Sequence, residues 1–198
     1  MQKQQNRLKN NKPNTYAFID SQNLNLGVQR MGWKMDWRRF RQYLKDKYGV
    51  TKAYTFIGYM SENEQLYEYM HELGYLVVLK PTVGIGPSHS QESKDKQEKP
   101  NKEEKTTVKG NVDAELVLYA LKEIHEYDKA IIVSGDGDFY SLIEYLDNNN
   151  KLAKVMVPNW QYSGLLKNYE SQIVRIDKLK RQLSYKEKVK KSGDRKYS

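Results

Sequence analysis

Apolar positions recur along this chain with two alternating periods. TYAFI (15–19), KAYTFIGY (52–59), YLVVLK (75–80), KAIIVS (129–134), KLAKVMV (151–157) and QIVRI (172–176) are short apolar runs, most of them stopped by Asp, Gly or Pro. Their length and their β-branched and aromatic content predict buried strands. Between them the period becomes helical. Trp37, Phe40, Leu44 and Tyr48 share one stripe of a helix beginning at Asp36, with Arg38, Arg39 and Arg41 off it, and residues 62–73 read as a helix closed by Gly74. Val112 to Tyr127 carries Leu116, Val117, Ala120, Leu121 and Ile124 on one face, Phe139, Leu142, Ile143 and Leu146 line another helix, and a short one is expected near 163–169. Strands alternating with helices over crossovers of this length predict a single α/β domain, a three-layer α/β/α, Rossmann-like parallel sheet.

The pattern fails in two kinds of place. Residues 84–108, GIGPSHSQESKDKQEKPNKEEKTTV, hold five basic and five acidic side chains and almost nothing apolar, so they predict a disordered loop inserted in the domain. The ends are basic: residues 1–14 carry four basic groups and no acid, and 178–198 carry nine against two. With the whole chain at +9, the body from 15 to 177 is left at −2. The expected layout is a flexible basic N-terminus (1–14), a domain (15–177) and a basic C-terminal tail (178–198). Such tails neutralise phosphates and bind nucleic acid without reading sequence, or simply keep a protein in solution.

Composition then removes several chemistries. There is no Cys, and His71, His89 and His125 are not spaced as helical ligand pairs, which argues against disulfides and zinc. The polar N-terminus lacks a signal-peptide core and no apolar run is long enough to span a bilayer, so a cytoplasmic location without a membrane partner is expected.

What draws attention is acid at the strand ends. Asp20 closes the first run, and Asp136 and Asp138 follow the fourth in AIIVSGDGDF (130–139). With strands in the order 3-2-1-4-5, the first and fourth adjoin at the switch point, where ligands of open parallel sheets bind. Asp113 lies on the apolar face of its helix, aimed at the same rim. Singly, each has a plainer role: Asp138 as N-cap of a helix starting at Phe139, Asp136 in an Asx turn, Asp20 likewise before Gln22, and Asp113 beside its helix dipole. Together they repel. Two carboxylates ~4 Å apart cost about 4 kcal/mol at an effective dielectric of ~20, against about 1 kcal/mol returned by a cap, so four need a cation. Ligands of oxygen alone select Mg²⁺ or Mn²⁺.

Competing motifs do not fit. Tyr140 stands where a dinucleotide-binding G-x-G-x-x-G needs glycine, no phosphate-binding G-x-x-x-x-G-K-[ST] occurs, and an EF-hand counted from Asp136 meets Ser141 and Asp147 where Gly and Glu belong. In-line attack of metal-activated water on a phosphodiester is the chemistry such a site suits.

Three segments in order carry a resemblance. FIDSQNL (18–24) with Asp20 and Asn23, KGNVDAEL (109–116) with Asp113, and VSGDGDF (133–139) with Asp136 and Asp138 resemble the motifs of NYN domain proteins, the LabA-like group of the PIN-like nuclease superfamily. The resemblance covers about Thr15 to Asp177. It implies a PIN-like fold and metal-dependent ribonuclease activity, with the four aspartates as catalytic residues and metal ligands. The chain departs from relatives at Glu170-Ser171, where an Ala-Asp pair often stands, so no further acid is implied there.

For substrate, Asn23 and Ser134 stand beside the acids, Lys109 is placed to hold a scissile phosphate, and Tyr59, Trp160 and Tyr162 follow strands whose ends face the crevice, where a base could stack. RNA, single-stranded, is the expected partner, and homo-oligomer formation is left open. Alternatives are a non-catalytic RNA-binding or scaffolding module of the same fold, and a Toprim-like or phosphatase-type phosphotransfer domain.

Overall fold

The computed structural model describes residues 13–58, 63–80 and 112–186; the 84–108 segment and most of both basic ends lie outside the described residues. Six strands form one parallel sheet: β1 (Thr15–Asp20), β2 (Val50–Gly58), β3 (Leu76–Lys80), β4 (Lys129–Val133), β5 (Leu152–Val157) and β6 (Ile173–Arg175). Their order is β3-β2-β1-β4-β5-β6, so the chain reverses direction across the sheet between β1 and β4. Five strands stand in the order expected from sequence, and β6 extends it.

Helices cover both faces. Against one lie α1 (Ser21–Arg30), α2 (Trp37–Tyr48) and α3 (Glu64–Glu72); against the other lie α4 (Asp113–Lys122) and α5 (Tyr140–Asn148). β1 shows why a continuous apolar run was needed: Tyr16 and Phe18 enter one core while Ala17 and Ile19 enter the opposite one. Phe18 stacks on Tyr54 with ring centroids 5.5 Å apart, and each such buried side chain contributes about 1.5–3 kcal/mol. That two-sided burial makes β1 and β4 a rigid base for whatever their ends carry.

Three features differ from the sequence reading. Helix α1 was not expected, because its buried face holds only Leu24 and Val28, with Ser21 and Gly27, amid polar residues. Gly27 costs such a helix about 1 kcal/mol. It is required by close approach: a Cβ there would run into the Pro158 ring, with Cγ 2.8 Å away, so glycine lets the segment after β5 press on α1. Second, α4 ends at Lys122 rather than near Tyr127, which leaves Leu121 40% exposed. The turn that follows lets Tyr127 bury and donate its hydroxyl to the Ala120 carbonyl at 2.7 Å.

Third, the basic end expected as a tail from residue 178 is folded through Tyr185. A short helix, α6 (Lys180–Leu183), buries Leu183, and Leu179 packs on the same core four residues earlier. Asp36 N–H donates to the Leu183 carbonyl at 2.8 Å and Tyr185 N–H to that of Lys34 at 2.9 Å. Two leucines one helical turn apart suffice to dock it, while Lys180, Arg181 and Gln182 between them stay exposed. Among the described residues no helix is long and apolar enough to cross a membrane.

Candidate active site at the β1 and β4 strand ends

Asp20 occupies the last position of β1 and is 5% exposed. It also caps α1, with Oδ1 accepting from Asn23 N–H at 3.0 Å. Its other oxygen, Oδ2, accepts from the Ser134 hydroxyl at 3.1 Å, across the boundary between β1 and β4. Ser134 Oγ in turn accepts from Asp136 N–H at 3.2 Å, and Asn23 Oδ1 accepts from Gly135 N–H at 2.9 Å. Residues 112 and 114 positions apart are thus stapled at the switch point by two polar links. Asn23 and Ser134, expected to meet substrate, are engaged within the protein and orient Asp20.

Burial is the main reason that Asp20 holds its proton above the usual carboxylate range; the hydrogen bonds from Asn23 and Ser134 pull the other way, and the charges of Asp113 and Asp136 add to the rise. Two of the other three acids therefore act on Asp20 through space. Asp113 sits in the first turn of α4, half-buried, and Asp136 in the turn after β4, half-buried. Asp138 differs: it is exposed and is not among the groups that perturb Asp20.

The plainer roles are partly present. Asp136 Oδ1 accepts from Asp138 N–H at 3.1 Å, closing the Asx turn that opens a short 3-10 helix, Gly137–Phe139. Asp20 caps a helix. Asp138 does not: α5 begins after Phe139, with no side-chain cap. Among the described residues no three His, Cys, Asp or Glu side chains are already gathered to hold a metal ion, so the expected four-acid convergence is looser than the spacing suggested. The donors nevertheless suit a hard divalent cation. Asp20, Asp113, Asp136 and Asp138 offer carboxylate oxygen alone, and each Asp20 oxygen has spent one acceptor position and keeps another.

The remaining expected residues separate. Trp160 is 58% exposed after β5, with an indole free to meet a ligand, whereas Tyr59 and Lys109 lie outside the described residues. Glu170 and Ser171 are both exposed after a 3-10 helix, Gly164–Tyr169. Sequence reasoning missed Asn159, buried at 5%, whose Nδ2 donates to the Gly27 carbonyl at 2.8 Å and whose Oδ1 accepts from Gln161 N–H at 2.7 Å. Gly137 packs so closely against Ser163 that a Cβ would lie 3.0 Å from the serine Cβ. Pro158-Asn159 at a strand end was the available signal for a fixed loop.

Comparison with known proteins agrees with this architecture. The curated protein "Low amplitude and bright protein LabA" of Synechococcus elongatus (strain ATCC 33912 / PCC 7942 / FACHB-805) is 24% identical over 167 residues, 82% of this chain and 83% of that one. A crystal structure of a Vibrio parahaemolyticus protein of unknown function superposes with a TM-score of 0.63 at 24% identity, covering 84% of this chain and 94% of the other, and speaks for the shared fold. The NYN domain description matches residues 14–177, which is most of the chain, so the protein belongs to the NYN domain family of the PIN-like nucleases.

Proposed function

We propose that this protein is a metal-dependent ribonuclease that hydrolyses phosphodiesters in single-stranded RNA. The observation that carries the reading is Asp20: a carboxyl buried at the switch point, its proton held by desolvation and by two neighbouring carboxylates. Burying an acid among acids opposes folding, and a cap or an Asx turn would be served as well by Asn or Ser. Membership of a PIN-like nuclease family supports the same reading.

In this mechanism Asp20, Asp113, Asp136 and Asp138 hold Mg²⁺ or Mn²⁺. A bound divalent ion supplies an activated water and charge compensation on the phosphoryl oxygens. The chain supplies orientation. Asn23 N–H and Ser134 O–H each hold one oxygen of Asp20, and Ser134 Oγ also accepts from Asp136 N–H, which links the two acids through one hydroxyl. Trp160 offers a face for a base, and Lys109 a charge for the phosphate being cut.

The second reading, an RNA-binding module without catalysis, draws on the capping bonds of Asp136 and on the basic end of the chain. One experiment separates them: the purified chain is incubated with single-stranded RNA, DNA and a phosphomonoester, in Mn²⁺ and in EDTA. RNA cleavage that stops in EDTA and is lost in Asp20→Asn and Asp136→Asn supports the nuclease. Binding without cleavage gives the second reading, chelator-resistant cleavage refutes the metal, and preference for the monoester points to a phosphatase.

A further inference from the structure

Beside Asp20, on its β2 side, the carboxyl edge of the sheet opens into a groove of about 770 Å³. Its wall starts with Ser21 and Gln22, the two residues that follow Asp20, and continues along α1 through Asn25 and Gln29. Leu66 and Tyr69 of α3, with Trp37 and Tyr185, also line it. Leu66 is 41% exposed, Tyr69 38% and Tyr185 53%, so the groove presents apolar and aromatic surface to solvent along a line of side-chain amides.

Charge indicates the occupant. The acid on the rim, Asp36, is spent: it caps α2 through two backbone N–H groups and pairs with Arg39 at 3.3 Å. Beyond Tyr185 lies a basic surface of Lys178, Lys180, Arg181 and Lys186; among the described residues lining it the one acid, Asp177, is held by Arg175. Lys34 joins the two, with Nζ 5.3 Å from the Tyr185 ring centroid. The groove lining therefore begins at the residue after Asp20 and includes Tyr185, whose chain neighbours Ser184 and Lys186 line the basic surface.

We propose that this groove binds unpaired bases of the RNA strand whose backbone passes from the basic surface on α6 to Asp20. The assignment rests on the ribonuclease reading for the destination of the strand, but the groove is testable by binding alone. Amides offer a donor and an acceptor to base edges, and aromatic rings stack on any base. The volume is that of a small-ligand site, about 300–1,000 Å³. A duplex keeps its bases stacked and paired, so it gains nothing from the groove. An apolar helix of a protein partner would make less use of the amides and the lysines.

The test uses the full chain in EDTA, with fluorescence anisotropy of a labelled 12-nucleotide single strand and of the same sequence as a duplex. Tyr69→Ala combined with Tyr185→Ala is expected to raise Kd for the single strand about tenfold or more and to change duplex affinity less than about twofold. Phe at both positions keeps the rings and is expected to restore binding. Lys180→Gln with Arg181→Gln is expected to flatten the salt dependence of single-strand binding. Single-strand affinity unchanged in the alanine variant, or lost equally for duplex, overturns the assignment. So does a dimer that the alanine variant converts to monomer without loss of RNA affinity, because a second copy would then fill the groove. Hydrolysis of bis(p-nitrophenyl) phosphate in Mn²⁺, a substrate too small to reach both regions, is expected to stay at the wild-type rate in the alanine variant. If the wild type hydrolyses neither it nor RNA, the nuclease reading fails, and the binding comparison still decides the groove.

Discussion

Ser134→Ala isolates the bond that ties β4 to the buried acid. Ser134 is 1% exposed, donates to Asp20 Oδ2 at 3.1 Å and accepts from Asp136 N–H at 3.2 Å. Alanine deletes both links. A hydrogen bond to an ionised group contributes about 1.5–3 kcal/mol and a neutral one about 1 kcal/mol, so the cost depends on the charge of Asp20. The Asp136 N–H is only part-buried and can take a water instead. In wild type the folded-state pKa of Asp20 is raised above 3.8, so the folded chain holds the proton more tightly than the unfolded one between that value and its own pKa. Stability from this group is greatest below 3.8 and is lost as pH rises through the window. Ser134 lowers that pKa, and removing it widens the window upward. The gap between wild type and variant should thus grow from about 1 kcal/mol near pH ~4 to about 2–3 kcal/mol above the window, then stay flat. Urea denaturation in EDTA at several pH values between about 4 and 8 measures it, since shared titrations cancel in the difference. A gap below ~0.5 kcal/mol at every pH would refute the bond, and a gap that does not change with pH would refute the buried charge.

Other outcomes follow from the same geometry. Asp20→Asn keeps an oxygen for Asn23 N–H but sheds the buried charge, so in EDTA above the titration window it should melt higher than wild type and gain little from Mn²⁺; a lower melting temperature with a full Mn²⁺ shift would return Asp20 to capping alone. Gly137→Ala sets a Cβ 3.0 Å from Ser163 Cβ and 3.1 Å from Leu165 Cδ1, and should cost about 1–3 kcal/mol in urea; no loss would mean that the turn does not pack there. Deleting 187–198, which holds five basic and two acidic residues, should flatten the salt dependence of RNA binding while the melting temperature holds. Deleting from 178 instead should lower the melting temperature, since Leu183 leaves the core; equal melting of both truncations would show that α6 contributes nothing.

Short continuous apolar runs and the 3.6-residue period were enough to place all six strands and most helices, because buried side chains must follow the backbone geometry that buries them. Asp20 and Asp136 could be picked from sequence for a related reason, since an acid just after a buried strand stands at the sheet's edge, and Asp113 because it falls on the apolar stripe of its helix. α1 escaped notice because Leu24 and Val28 are its only large buried side chains, and the case for Gly27 lies in Pro158, 131 residues later. The folded basic end escaped because nine positive charges outweigh two leucines in any reading of composition, although among its described residues it is the leucines that pack on the core.

Tertiary structure alone decided the roles of the polar residues. Ser134 reaches Asp20 because β1 and β4 are neighbours, a consequence of strand order and not of any local signal. The same placement divides the four aspartates: Asp113 and Asp136 bear on Asp20, while Asp138, two residues along, is exposed. Periodicity reports which side chains leave water; which charges then face one another is set by how the strands are ordered, and a linear pattern does not carry that.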